Sequence, residues 1–138
     1  KPNGEIIIGY DLKKDKNIIE AAYNDKKGVT REFNLNLLRR INYELNGNFN
    51  LEKFEHKAIF NEAIGRLEMH LFSKLKQEVK INNEKFIFNK DESIHTENSY
   101  KYDIIQFEKI FTDNGFIKPK VWTDKNKLFA IQYFQSKF

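Results

Sequence analysis

The chain has 138 residues, a net charge of +4 and ordinary apolar content, with 14% aromatic residues. That length is enough for one domain of ordinary size with its own core and excludes a disordered chain, and the absence of cysteine excludes a disulfide framework or a cysteine-based zinc site. Acidic residues lie among the lysines along the whole sequence, which argues for a solvated surface and against a nucleic-acid groove. No apolar run approaches the ~20 residues of a membrane span, and no signal peptide is visible, so the expected setting is the reducing cytoplasm, away from membranes. Lys1 in place of an initiating Met reads as a fragment or a processed product.

In chain order, "KPNG" is a turn signal. The β-branched run Ile6–Ile8, closed by Gly9, reads as a strand buried on both faces, as in a parallel sheet. Asn17 with Glu20 three residues on resembles a capping box, which predicts a short helix that Gly28 ends. Thr30 is the expected cap of a second helix. Its stripe would be Val29, Phe33, Leu37, Ile41 and Leu45 with Leu38 beside them, leaving Asn34, Asn36 and Asn42 off the buried face. "NGN" at 46–48 stops it.

From His56 the pattern becomes short strand-like runs, "HKAIF", "RLEMHLFS", "QEVKI" and "KFIFN", joined by the turns "NEAIG" and "NNE". This predicts an antiparallel meander. Leu67, Met69 and Leu71 fall on one strand face, and Arg66, Glu68 and His70 on the other. "SIHTENSYKY" at 93–102 is dense in polar groups with almost nothing to bury. Asp103 and Gln106 then form a capping pair, Ile104, Phe107 and Phe111 a helical stripe, and Gly115 a C-terminal stop. "FIKPKVW" and "LFAIQYF" read as two strands joined by "TDKNK". His56, His70 and His95 show no metal-ligand spacing and read as structural or surface residues, so no metal is expected.

The fold class is α+β. Its two ends, "KPNGEIIIGYD" and "FEKIFTDNGFIKPKVWTDKNKLFAIQYF", resemble the last strands and closing helix of a Rossmann-like, class I methyltransferase sheet. The blocks between them, "DLKKDKNIIEAAYNDKKGVTREFNLNLLRRIN", "FEHKAIFNEAIGRLEMHL" and "IHTENSYKY", resemble the histidine Nα-methyltransferase family of ergothioneine biosynthesis. The resemblance implies residues 1–13 as a strand of the methyltransferase domain, 14–100 as an inserted substrate-binding domain, and 101–138 as a closing helix and hairpin. It also implies S-adenosylmethionine as cofactor. The glycine-rich loop that would hold it is absent here, so the chain resembles the C-terminal part of such an enzyme, inactive alone. The first strand would then present a bare edge at residues 5–10, able to recruit a second copy.

The same resemblance maps a substrate imidazole onto Glu97 and Ser99, a substrate carboxylate onto Tyr23, and a pocket wall onto Met69. The chemistry is reasonable. A buried imidazole needs a partner on each nitrogen, and an extended 96–100 would put Glu97 and Ser99 on one side, with Thr96 and Asn98 turned away. Without the resemblance, the same residues read as a carboxylate capping the helix at 103, a turn serine, a tyrosine packed by its ring and a core methionine. Two other functions stay open: a methyltransferase of this family acting on another amino acid, and a non-catalytic amino-acid-binding module.

Overall fold

The computed structural model describes residues 4–137, apart from the side chains of residues 118 and 119, and the first three residues of the expected "KPNG" turn lie outside it. The strands are β1 (Glu5–Asp11), β2 (Phe54–Asn61), β3 (Arg66–Ser73), β4 (Gln77–Ile81), β5 (Glu84–Phe88), β6 (Ser93–Tyr100), β7 (Phe116–Thr123) and β8 (Phe129–Ser136). The helices are α1 (Lys16–Tyr23), α2 (Val29–Glu44) and α3 (Ile104–Thr112), with one turn of 3-10 helix at Leu51–Lys53. Among the described residues no helix is long and apolar enough to cross a membrane. The mixed α+β class stands. The chain divides into two compact units, Lys1–Asp15 with Tyr100–Phe138, and Lys16–Ser99.

The first unit is a three-stranded sheet in the order β1-β8-β7, with both pairings antiparallel. β1 does not pair in parallel and is not buried on both faces. Its burial alternates, with Ile7 70% exposed and Tyr10 buried, because α3 covers only one face. On that face Phe107 stacks on Tyr10 with ring centroids 3.7 Å apart, and Phe111 stacks on Phe134 at 4.2 Å. The Tyr10 hydroxyl donates to Gln132 Oε1 at 2.8 Å, and burial pushes its phenol up to about 12. Asp103 caps α3 by accepting from the Gln106 N–H at 2.7 Å, and Gly115 takes the left-handed φ of 83° past the helix end. The chain leaves this unit and re-enters it side by side, with Leu12 bridged to Tyr102. There Asp11 holds the Lys101 ammonium at 3.0 Å, and Lys101 is almost fully buried.

In the second unit the expected meander is split. β2, β3 and β6 form one sheet in that order, while β4 and β5 form a separate hairpin. Leu67, Met69 and Leu71 line one face of β3 as their alternation requires, and all three are buried.

The helices of this unit depart from expectation. α1 begins at Lys16 and stops at Tyr23, and Glu20 serves no cap: its carboxylate accepts the Phe60 N–H at 2.8 Å. Gly28 does not end α1. It precedes α2 with φ 69°, a backbone conformation that favours glycine. Nor does Thr30 cap α2. The Asp25 carboxylate does, accepting from Thr30 N at 2.9 Å and Val29 N at 3.0 Å.

The buried face of α2 carries Asn34, Leu35 and Leu38, while Val29, Phe33, Leu37 and Leu45 are exposed. A stripe at strict spacing four drifts ~40° per step around a helix of 3.6 residues per turn, so it cannot stay on one contact line. Asn34 can be buried because its amide is occupied, Nδ2 donating to His56 Nδ1 at 2.9 Å and reaching the His70 carbonyl at 3.3 Å. Asn42 likewise pairs with both backbone groups of Phe49.

The Asp25 cap yields a pH-dependent prediction. The Thr30 and Val29 N–H groups hold its carboxyl below the ordinary value of 3.8, so its contribution to stability is present above that value and is lost as pH falls through the lower folded-state value. Asp25→Ala is expected to lower the thermal midpoint at neutral pH, and the gap from wild type should close in acid. Melting curves across pH that run parallel would reject the cap.

Candidate functional site

The site is built where α1 meets the free edge of β2. Side chains of the helix satisfy backbone groups that another strand would otherwise pair. Besides the Glu20 contact, Asn24 Nδ2 donates to the Ala58 carbonyl and Asn24 Oδ1 accepts from Ala58 N, both at 2.9 Å. From β2, His56 Nε2 sits 3.0 Å from the Tyr23 carbonyl. With Nε2 donating there, His56 Nδ1 is left to accept from Asn34. These contacts fix the last turn of α1 and so the position of the Tyr23 ring.

Sequence reasoning missed Glu20, Asn24, Asn34 and His56 in this role. One signal could have found His56. It alternates with Phe54, Ala58 and Phe60, all buried, so period two places an imidazole on the core face, where it needs polar partners.

Tyr23 and Ser99 come together, with Tyr23 Oη and Ser99 Oγ 3.0 Å apart and either able to donate. Met69 lies in the buried cluster of Ile19, Ala58, Phe60 and Leu67, against which Tyr23 packs. It is 3% exposed. The Thr96 hydroxyl donates to the Met69 carbonyl at 2.9 Å, which ties β6 to β3 beside this cluster.

Glu97 is placed differently. Along β6 the partly buried positions are 94, 96 and 99, with 97 and 98 exposed. The two-residue period therefore breaks at Glu97–Asn98. Ser99 turns to Tyr23, while Glu97 lines a cleft of about 180 Å³ together with Phe33, Asn36 and Leu37 of α2. Thr96, expected to point away, lines the same cleft. Among the described residues no hydrogen bond or ion pair engages the Glu97 carboxylate. The neighbouring Arg40 is committed to Glu44, with Nε 2.8 Å from Oε1 and Nη2 3.1 Å from Oε2. This pairing holds the Glu44 carboxyl below its ordinary range.

A second cleft, of about 160 Å³, is lined by Tyr23 itself together with Asn24, Arg31 and His56. Asn34 lines the first cleft and His56 the second, so the Asn34–His56 hydrogen bond joins their walls.

Chemically, the first cleft offers apolar surface from Phe33 and Leu37, an uncommitted carboxylate, and the amide and hydroxyl of Asn36 and Thr96. That set suits a small planar ring carrying an N–H, since apolar faces take the ring and the carboxylate accepts its proton. Two residues beyond Glu97 on β6, the Ser99 hydroxyl pairs with that of Tyr23 on α1, outside the lining of this cleft.

Comparison with known proteins gives this chemistry a context. Residues 1–136 match the family described as histidine-specific methyltransferase, SAM-dependent. A histidine N-alpha-methyltransferase of Mycolicibacterium smegmatis is 33% identical over 126 residues, covering 90% of this chain and 39% of that protein. The protein of the same name from Mycobacterium tuberculosis is 33% identical over 127 residues, covering 91% and 40%. Ergothioneine biosynthesis protein 1 of Neurospora crassa is 28% identical over 129 residues, covering 91% of the chain and 14% of that protein. The chain thus spans about two fifths of the length of its bacterial relatives. A match over residues 1–136, nearly the whole sequence of both units, places the chain in the family of histidine-specific, S-adenosylmethionine-dependent methyltransferases.

Proposed function

We propose that this chain is the acceptor-binding part of an S-adenosylmethionine-dependent N-methyltransferase that methylates the α-amine of L-histidine. The observation that carries the reading is the family match over residues 1–136. The geometry supports it through the uncommitted Glu97 carboxylate between Phe33 and Leu37 and through the Tyr23–Ser99 bond. In this reading Glu97 and Ser99 engage the imidazole, Tyr23 the substrate carboxylate, and Met69 backs the pocket from the core. The task of these residues is to hold the amine in one orientation.

The first unit, with β1, β8 and β7 under α3, serves in this proposal as the end of a Rossmann-like methyltransferase sheet, and residues 14–100 as the inserted substrate domain. The residues present do not themselves fit S-adenosylmethionine. Two turns lead from a strand into a helix, and they run through Leu12–Asp15 and Lys101–Asp103 with no glycine to let backbone approach a cofactor. We therefore assign the cofactor to other parts of the protein, and derive no step through it. The unpaired edge of β1 is a pairing site for a further strand, from the rest of the protein or a second copy.

The test is incubation of the intact protein with S-adenosylmethionine and a panel of amino acids, with products read by mass spectrometry. Methylated histidine is the expected product. Turnover of a different amino acid with histidine untouched would overturn the acceptor assignment, and binding of histidine without turnover in the intact protein would favour a binding module.

A further inference from the structure

The β2-β3-β6 sheet has a second face, turned away from Met69. Glu68 and His70 alternate with Leu67, Met69 and Leu71 along β3 and project from that other side. Because β6 lies next to β3, His95 comes beside His70, with ring centroids 4.5 Å apart and planes inclined by 22°. One ligand atom from each of Glu68, His70 and His95 lies within 4.8 Å of the others.

The far atoms of the two inner groups are already held. Arg66 grips Glu68 Oε1 with Nε at 2.8 Å and Nη2 at 2.7 Å, and Asn61 Nδ2 reaches the same oxygen at 3.4 Å. That leaves Oε2 facing His70 Nε2 at 3.3 Å. On the other side of the ring, His70 Nδ1 is 3.2 Å from Ser93 Oγ. With Nδ1 donating to Ser93, Nε2 presents a lone pair toward the carboxylate, and in that tautomer a bound cation joins the two groups. Such outer partners are what orient the ligands of metal sites.

The spacing suits an ion. A separation of 3.3 Å is at the long end of a hydrogen bond and is also about the ligand-to-ligand distance in a tetrahedral site with bonds of ~2.0–2.1 Å. A neutral His70 carrying its proton on Nε2 would instead donate to Glu68, but His95, stacked on His70, adds the further nitrogen that a metal site needs and a simple hydrogen bond does not. The lysine opposite His70 in the β2–β3 register, Lys57, is engaged elsewhere: it lies over the Phe72 ring at 5.3 Å and pairs with Glu55 at 3.3 Å.

We propose that Glu68, His70 and His95 form a binding site for a divalent transition-metal ion of the imidazole-preferring class, with zinc as its representative and one coordination position open to solvent. Two nitrogens, one carboxylate oxygen and a neighbouring guanidinium disfavour magnesium and calcium, which require several oxygens. The site stands apart from the proposed acceptor pocket, on the opposite face of β3.

The test is calorimetric titration of zinc into the metal-free intact protein at neutral pH, in a non-coordinating buffer, with magnesium as control. One equivalent of zinc per chain is expected, with no magnesium heat. His95→Ala, at an exposed position, and His70→Gln should each weaken zinc binding by about tenfold or more, with circular dichroism confirming that both variants remain folded. Cobalt substitution should give a d–d absorption band that His95→Ala abolishes. Absence of stoichiometric zinc binding would overturn the proposal, and so would zinc binding that neither substitution changes.

Discussion

On the proposed function, replacing Glu97 with alanine in the intact protein is expected to lower kcat/KM for histidine by about ten- to a hundredfold. A hydrogen bond to a charged partner contributes about 1.5–3 kcal/mol, and each 1.4 kcal/mol is about one factor of ten. The carboxylate is exposed and unpaired within the described residues, so its removal should leave thermal stability nearly unchanged. This separates a binding role from a structural one. Steady-state kinetics at several histidine concentrations would check it, and an unaltered kcat/KM would remove Glu97 from the proposed imidazole site. Glu97→Gln retains an acceptor oxygen without the charge, and should fall between wild type and alanine.

The largest structural effect is expected at Leu71. This side chain is 0% exposed and packs in a cluster with Leu35, Leu38, Phe49, Phe54 and Val79. The cluster joins α2, the sheet and the β4–β5 hairpin into one core. Leu71→Ala should cost about 3 kcal/mol, from lost burial and from the cavity left behind. In a unit of this size that corresponds to a fall of more than about 10 °C in the thermal midpoint. Phe33→Ala is the control, since Phe33 is 65% exposed on the opposite side of α2 and its loss should barely change the midpoint. A small effect at Leu71 with a large one at Phe33 would mean that the buried face of α2 has been read the wrong way round.

That reading of α2 shows where a sequence pattern misleads. Four-residue spacing of apolar side chains is conspicuous in Val29, Phe33 and Leu37, and three asparagines appear to mark the wet face. The fold buries Asn34 instead. Its amide meets partners on β2 and β3, His56 and His70, which lie 22 and 36 residues away. A polar residue can enter a core only where its hydrogen bonds are completed, and completion by distant groups leaves no trace in the local pattern. β1 misled for a related reason. A β-branched run predicts a strand, but which neighbours it pairs with is a property of the sheet, and β8 lies at the far end of the chain.

The candidate site divides along the same line. Tyr23, Met69, Glu97 and Ser99 were named by resemblance to a family; the structure joins Tyr23 to Ser99 across 76 residues and sets Glu97 apart from them in a cleft beside α2. The groups that hold Tyr23 in place were not legible, because Glu20, Asn24 and His56 act on the backbone of another element. Nor was the histidine pair, whose members are unremarkable until β6 lies against β3.

By itself the sequence determined what depends on a few neighbouring residues. It set the positions of β2, β3, β4 and β5, though not of β6, together with the alternating face of Leu67, Met69 and Leu71, the Asp103 cap of α3 and the turn at Gly115. Period, capping and left-handed turns are decided within a span of some four residues, by local sterics and short hydrogen bonds. Only the tertiary structure decided which face of α2 is buried, which strands share a sheet, and which of the polar side chains meet. Those outcomes depend on contacts between residues far apart along the chain, where burial and hydrogen-bond satisfaction are settled jointly by both partners.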